Sequence, residues 1–244
     1  MNRVPVQVGQ YIVHIRSITT SKKQPIILVH GLGVSGDYYI KYAAAMSEYY
    51  DVYIIDLPGY GKTPKPPEPL TVDELSEVLR TYVVESSIKN SILVGQSMGC
   101  QVVVRTAATS PKLFEKIILL APTVNKAERT IAHQAFRLWQ DTFHEKISAN
   151  VVVFLNYARM GVKRFIITTK YMVDDHIEET LANLAIPVFI VTGSKDKIAP
   201  TAWGSYLANI APQGQTIVLQ DAPHLLQYDK PISLTNITRK FIES

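Results

Sequence analysis

The sequence predicts an α/β protein, with a doubly wound, mainly parallel sheet and an inserted helical cap. Apolar runs, each long enough for one buried strand, recur along the chain and alternate with segments of helical spacing. This pattern is typical of a parallel sheet covered by helices on both faces. Between residues 122 and 181 the alternation stops, and aromatic residues recur at helical spacing without a strand. We therefore predict a core built from residues 1–121 and 182–244, with residues 122–181 inserted as the cap.

Each element follows from its own residue pattern. A Gly-Gln step joins the first two short strands as a hairpin, and the later apolar runs are continuous enough to be buried on both faces. Thr71 and Glu74 have the spacing of a capping box at the start of a helix. Helices are predicted over Asp37–Tyr49, Val72–Val83, after Gly99, after Pro200 and over Asp229–Ile242. Strands are predicted over Val4–Val8, Tyr11–Ser17, Pro25–His30, Val52–Asp56, Ser91–Val94, Lys116–Ala121, Pro187–Thr192 and Gln215–Leu219.

Composition limits the classes of function. The 244 residues are 47% apolar, which is enough for a sizeable core. The net charge of +4 is mild and does not favour nucleic acid as a partner. A single cysteine, Cys100, allows no internal disulfide, and no Cys/His cluster has the spacing of a metal site. We expect a cytoplasmic protein, because no signal peptide and no apolar run of about 18 residues is visible.

One stretch combines a strand, a tight turn and a helix around a serine. The apolar run Ser91–Val94 leads into Gly95-Gln96-Ser97-Met98-Gly99, and helical spacing follows. In this context the pattern Gly-x-Ser-x-Gly is typical of a nucleophile elbow, which exposes a serine hydroxyl at the end of a strand. Side chains at Gly95 and Gly99 would collide with neighbouring backbone. We predict Ser97 as the nucleophile, and the alternative is an ordinary turn with an inert serine.

A serine nucleophile needs a histidine base and a carboxylate that orients the base. His224 lies in a loop after the last predicted strand, whereas the other histidines lie in an early strand, a turn or the cap. Asp196 follows the strand Pro187–Thr192 by a short Gly-Ser turn. We predict His224 as the base and Asp196 as the acid, with Asp221 as a weaker rival for the acid. The alternatives are a surface role for His224 and a turn or capping role for Asp196.

Two backbone amides are predicted to hold the oxyanion of a tetrahedral intermediate. Met98 follows the nucleophile directly, and Leu32 lies in the turn His30-Gly31-Leu32-Gly33 after an early strand. The glycines of this turn allow the backbone to approach a substrate closely. An ordinary strand-end turn is the alternative. A phosphate-binding loop is disfavoured, because the glycine spacing of a Walker or dinucleotide-binding loop is absent.

Together these motifs resemble the α/β-hydrolase superfamily over nearly the whole chain. The elbow and the His-Gly-x-Gly turn are similar to those of lipases, esterases, monoacylglycerol lipases and carbon–carbon bond hydrolases. Ser97 departs from the haloalkane dehalogenases and epoxide hydrolases, which have aspartate at this position. The resemblance implies the α/β-hydrolase fold, an acyl-enzyme on Ser97 and no cofactor. It is carried by His30-Gly31-Leu32-Gly33, Asp56-Leu57-Pro58-Gly59-Tyr60-Gly61, Gly95-Gln96-Ser97-Met98-Gly99, Gly193-Ser194-Lys195-Asp196 and Pro223-His224.

The cap is expected to decide the substrate. Its aromatic residues suggest an apolar acyl or aryl pocket over the nucleophile, although they could equally pack the cap on the core. The predicted substrate-binding residues are Gly31, Gln96, Trp139, Phe143 and Leu225. Residues 122–173 carry eight basic residues against three acidic ones, which are Glu128, Asp141 and Glu145. Such a charge attracts anionic substrates or anionic lipid surfaces, unless it is simply a solvated face.

The leading hypothesis is a carboxylic ester hydrolase that acts on small to medium acyl or aryl esters. Two alternatives stay open: a carbon–carbon bond hydrolase, perhydrolase or lyase on the same scaffold, and a non-catalytic ligand-binding receptor. The expected partner is a small ester. We expect no stable insertion into a membrane, and weak surface association through the basic cap stays open. The sequence makes no prediction of oligomeric state.

Overall fold

The structure, a computed structural model, describes residues 1–20 and 23–244. The strands in this part of the chain are β1 Asn2–Val8, β2 Tyr11–Ile18, β3 Pro25–Val29, β4 Asp51–Asp56, β5 Ser91–Gln96, β6 Phe114–Leu120, β7 Val188–Gly193 and β8 Gly214–Leu219. They form one sheet in the order β1-β2-β4-β3-β5-β6-β7-β8. From β4 to β8 in this order every neighbouring pair is parallel, whereas β2 is antiparallel to both of its neighbours, β1 and β4. The prediction of a doubly wound, mainly parallel sheet is confirmed.

The sheet is buried on both faces by alternate residues of the same strands. Ile27 and Val29 of β3 contribute to the apolar cluster on one face, whereas Ile26 and Leu28 contribute to the cluster on the other. Side chains alternate in direction along a strand, so an unbroken apolar run feeds both faces. This is why the apolar runs of the sequence predict the sheet.

Helices cover both faces. In the described residues they are α1 Ile40–Met46, α2 Val72–Glu85, α3 Met98–Thr109, α4 Ile131–Thr142, α5 Ile147–Met160, α6 Val162–Asp174, α7 Ile177–Leu181, α8 Thr201–Ile210, α9 Leu226–Asp229 and α10 Pro231–Glu243. Helices α2, α3 and α8 pack on one face of the sheet, and α1, α9 and α10 pack on the other. The predicted capping box is present, because the side chains and backbone amides of Thr71 and Glu74 bond reciprocally. The predicted helix Asp37–Tyr49 is shorter, with a 3-10 turn at Gly36–Tyr39 before α1.

Residues 122–181, called the inserted segment below, connect β6 to β7 through α4, α5, α6 and α7. The first three helices form a layer above the carboxyl ends of the strands, where Ser97 and residues of this layer share a cavity. The last, α7, packs on α3 and buries Ile177 and Leu181 in the core. None of the helices in the described residues is long and apolar enough to cross a membrane.

Candidate active site

Ser97 lies in a strained turn between β5 and α3. Its φ of 55° and ψ of −123° fall outside the regions that non-glycine residues ordinarily adopt. The turn is so tight that a β-carbon at position 95 would lie 2.7 Å from the amide nitrogen of Cys100. A β-carbon at position 99 would lie 2.6 Å from the carbonyl oxygen of His30. Glycine is therefore required on both sides of Ser97, which is the steric pattern of an elbow.

His224 and Asp196 form a buried pair. The Nδ1 atom of His224 lies 2.9 Å from Oδ2 of Asp196, although 28 residues separate them in sequence. The other carboxylate oxygen of Asp196 accepts hydrogen bonds from the amides of Ile198 and Ala199 at 2.8 and 2.9 Å. These amides fix the carboxylate, so its second oxygen is directed at the imidazole. The rival Asp221 is exposed and pairs instead with Lys195.

A cavity of about 510 Å³ opens above these groups, and Ser97 and His224 both line it. Of the predicted substrate-binding residues, the lining includes Gly31, Gln96, Trp139 and Leu225. Phe143 is not among the lining residues. Phe143 is 71% exposed and packs edge-on against Trp139, because it lies on the outward aromatic face of α4 with Phe136 and Trp139.

The turn after β3 lies against the nucleophile. A β-carbon at Gly31 would lie 3.0 Å from Cβ of Ser97, so this glycine is needed for the approach. His30 is buried and holds the turn, because its Nε2 accepts from the amide of Leu57 and its Nδ1 donates to the carbonyl of Gly31. Burial lowers the pKa of His30. Leu32 lines the cavity beside this turn.

Met98 begins α3 directly after Ser97. Its side chain is buried against the Tyr60 hydroxyl, which leaves the backbone as the part of Met98 that can serve the site. The first amides of a helix have no partner within the helix, so the amide of Met98 is free of intrahelical bonding. An amide at this position suits the stabilisation of an oxyanion.

A hydrogen-bonded chain links the segments that carry the site. The amide of Gly31 donates to the Tyr38 hydroxyl at 2.8 Å, and that hydroxyl donates to Oε1 of Gln96 at 3.0 Å. The side-chain nitrogen of Gln96 donates to the carbonyl of His224 at 3.2 Å. These hydrogen bonds hold three segments that are distant in sequence in fixed positions relative to one another. Sequence reasoning missed Tyr38, because a tyrosine among the apolar residues of a predicted helix has no distinguishing pattern.

Two acidic residues of the inserted segment also lie at the site, and the sequence did not predict them there. Asp141 and Glu145 line the cavity beside His224. Burial raises the pKa of Asp141 to about 6, and burial together with the Asp141 charge raises the pKa of Glu145 to about 8. Burial disfavours a charged His224, but the carboxylates of Asp196, Asp141 and Glu145 outweigh it and raise its pKa to about 9.

The family model for the alpha/beta hydrolase fold matches residues 24–164, which is more than half of the chain. The chain belongs to the α/β-hydrolase fold family. The expectation drawn from the motifs is therefore confirmed at the level of the family. The matched residues include the His-Gly-x-Gly turn, the elbow and most of the inserted segment.

Relatives of this α/β hydrolase are distant in sequence but cover most of its length. The uncharacterized hydrolase YugF of Bacillus subtilis is 23% identical, over 91% of this chain and 90% of its own. The pimeloyl-[acyl-carrier protein] methyl ester esterase of Aliivibrio fischeri is 22% identical, over 84% and 88%. The solved thermophilic esterase from Thermogutta terrifontis superimposes with a TM-score of 0.82 at 18% identity, covering 100% of this chain and 98% of that one.

Proposed function

We propose that this α/β hydrolase cleaves carboxylic esters of small to medium acyl or aryl groups through an acyl-enzyme on Ser97. The observation that carries the proposal is the buried hydrogen-bonded pair His224–Asp196, whose histidine lines the same apolar cavity as Ser97. Similarity to proteins named as esterases and lipases supports the ester as the bond that is cleaved.

The proposed mechanism follows from the direction of the hydrogen bonds. Asp196 occupies Nδ1 of His224, so Nε2 is the nitrogen that can take the proton of Ser97. Ser97 attacks the acyl carbon, and the amides of Leu32 and Met98 hold the oxyanion; one such donor is worth about 3–4 kcal/mol. The imidazolium protonates the leaving alcohol. His224 then activates a water that releases the acid and restores Ser97.

The charge of the cavity favours an ester over the carbon–carbon alternative. A vinylogous diketone acid carries a carboxylate, yet the lining residues in the described part of the chain include Asp141 and Glu145 and no lysine or arginine. An anionic substrate would meet the carboxylate of Asp141 in this cavity and no lysine or arginine among the lining residues that the structure describes. A neutral ester suits this cavity better, even though residues 122–173 carry eight basic residues against three acidic ones.

Replacement of Ser97 by alanine tests the nucleophile. We expect Ser97→Ala to lose p-nitrophenyl ester turnover by at least about ten-thousandfold and to lose labelling by a fluorophosphonate, because no other group in the proposal attacks the acyl carbon. Ser87→Ala is the matched control: Ser87 has the same φ of 55° but does not line the cavity. It should retain both signals.

A panel of p-nitrophenyl esters of increasing acyl length is assayed beside a ring-cleavage product. Turnover of the diketone acid with no ester turnover would replace the proposal by the carbon–carbon alternative. Labelling of Ser97 without turnover of any substrate would favour a receptor of the same fold.

We further propose that the inserted segment acts as a cap and associates weakly with anionic lipid surfaces. More than half of the exposed large apolar side chains in the described residues lie between positions 131 and 166. Trp139 and Phe154 are both exposed and also line the cavity, so this apolar surface is continuous with the cavity. Exposed basic residues such as Arg159 and Lys163 lie in the same stretch. Apolar and basic groups together suit an anionic interface.

Sedimentation with lipid vesicles tests this association. We expect more protein to bind vesicles that contain an anionic lipid than purely zwitterionic vesicles. Ile147→Ser should reduce this binding several-fold while leaving turnover of a soluble ester unchanged, because Ile147 is 84% exposed and does not line the cavity. Equal binding to both kinds of vesicle, or to neither, would contradict the proposal.

A further inference from the structure

Two carboxylates of the inserted segment are presented together by the turn that follows α4. Asp141 lies in the last turn of α4 and is only 3% exposed, and Glu145 lies in the connection to α5. The amides of His144 and Glu145 both donate to the main-chain carbonyl of Asp141, at 2.8 and 3.1 Å. These bonds close the turn, so both side chains reach the same cavity.

Each carboxylate bonds to a loop that carries a member of the proposed triad. Glu145 Oε1 accepts a hydrogen bond of 2.7 Å from the amide of Leu225, the residue after His224. Asp141 Oδ1 accepts a longer one, of 3.5 Å, from the amide of Lys197, the residue after Asp196. The inserted segment is therefore attached to the core at the two loops that hold the base and the acid.

Few groups other than His224 are placed to interact with the carboxylates of Asp141 and Glu145. Lys146, next to Glu145, and Lys195, next to Asp196, are paired with Asp229 and Asp221, and Lys197 is exposed. His144 interacts with Asp141 from the same turn. The second oxygen of Glu145 is buried without a hydrogen-bond partner. In the described residues no group of three or more His, Cys, Asp or Glu could hold a metal ion. Three carboxylates, Asp196, Asp141 and Glu145, thus act on one imidazole.

We propose that Asp141 and Glu145 are positioning residues for His224, which seat the inserted segment on the triad loops and favour the imidazolium over the neutral imidazole. The inference rests on the proposed function, in which His224 is the base. It assigns to the inserted segment a role in the chemical step in addition to shaping the cavity.

The consequence is a shift of activity towards alkaline pH. A base must be neutral to accept the Ser97 proton, so kcat/KM rises with pH through the pKa of His224. Carboxylates that stabilise the imidazolium move this rise upward, consistent with the pKa of about 9 for His224. They also stabilise the imidazolium that forms in the transition state, so their removal lowers activity at the alkaline plateau.

The experiment combines a titration with pH profiles. Histidine resonances of the labelled protein are followed by NMR, and His224 is assigned by the signal that His224→Gln loses. We expect the native His224 to titrate above pH 7.5, and Asp141→Asn and Glu145→Gln to lower that midpoint by about one pH unit each. The acid limb of kcat/KM for a p-nitrophenyl ester should move by the same amount. Asp174→Asn is the matched control, since Asp174 is an exposed carboxylate of the same segment.

The outcomes separate this inference from the proposed function. A native His224 that titrates at or below its ordinary value of about 6.5 overturns the inference, whether or not any variant folds. Variants that lower kcat/KM equally at every pH, without moving the limb, also overturn it and assign the carboxylates to the fold alone. The NMR midpoints need no substrate, so they test the carboxylates even if no ester is cleaved. Ester cleavage with an unmoved limb leaves the proposed function intact and refutes the inference.

Discussion

The α/β core and the inserted segment use their apolar residues in opposite ways. In the core, apolar strand residues such as Leu28 and Val94 are fully buried between two layers of helices. In the inserted segment, Phe136, Trp139 and Phe143 are each more than half exposed. The core sheet has neighbours on both faces, whereas helix α4 has the rest of the protein on one side. The same kind of residue therefore stabilises the core and forms surface in the inserted segment.

Helix α4 buries polar residues and exposes aromatic ones, which is the reverse of the usual arrangement of an amphipathic helix. Gln134 and Asp141, seven residues apart on one face, are 6% and 3% exposed, while the aromatic residues form an outward face. A helix of a globular protein normally buries its apolar face. In the core, steric limits on the backbone fix the geometry of the site. In the inserted segment, polar contacts with the core determine how helix α4 is oriented.

Glycine substitutions give the largest expected contrast between the two regions. At position 99 of the core, a β-carbon would collide with the carbonyl oxygens of Val29 and His30, which are backbone atoms of β3 and its turn and cannot easily move. We expect Gly99→Ala to cost on the order of 3–5 kcal/mol of unfolding free energy, or to prevent folding. Urea unfolding followed by circular dichroism measures the cost.

Gly161 between α5 and α6 is the matched position in the inserted segment. Its φ is +85°, but a β-carbon there has no atom within 4 Å. Gly161→Ala should therefore cost only the backbone strain, about 1–2 kcal/mol. Equal losses for the two variants would contradict this contrast, because Gly99 has no positive φ and its expected loss comes from the collision alone.

The same contrast explains how much could be predicted from the sequence. The strands, their mainly parallel arrangement and the elbow follow from local patterns: continuous apolar runs, and glycines on both sides of Ser97. His224 and Asp196 could be proposed because each follows a predicted strand, and carboxyl ends of parallel strands meet at one edge. Their 2.9 Å contact required the structure, and their catalytic role stays a prediction.

The contribution of the inserted segment could not be predicted, for a physical reason. A carboxylate near the end of an amphipathic helix ordinarily faces water, so Asp141 and Glu145 counted as surface charge. Their burial depends on the amides of Lys197 and Leu225, which lie 56 and 80 residues further along the chain. Phe143 was expected to bind substrate from its aromatic character. No local sequence pattern indicates that the aromatic face of α4 is directed outward.

Substitutions in a buried ion pair of the core and an exposed ion pair of the inserted segment extend the comparison, with smaller expected effects on stability. Asp56 in the core is fully buried and binds Arg16 at 2.7 Å, Arg3 at 2.6 Å and the amide of Gly36 at 2.8 Å. We expect Asp56→Asn to cost about 3 kcal/mol at neutral pH, because it leaves the buried guanidinium of Arg16 with only the partly exposed Asp37 as a counter-charge. Asp174→Asn breaks only an exposed pair with Lys170 and should cost less than about 0.5 kcal/mol.

The pH dependence of the Asp56 effect provides its own control. Burial tends to raise the pKa of Asp56, but Arg16, His30 and the amide of Gly36 outweigh it and hold the pKa below its usual range. A depressed carboxyl pKa contributes stability above the unfolded-state value near 4, and this stability is lost as pH falls towards the folded-state value. The difference in unfolding free energy between the native protein and Asp56→Asn should therefore shrink as pH falls below about 4. A difference that stays constant with pH would mean that Asp56 acts by packing and hydrogen bonding, and that charge does not distinguish the core from the inserted segment.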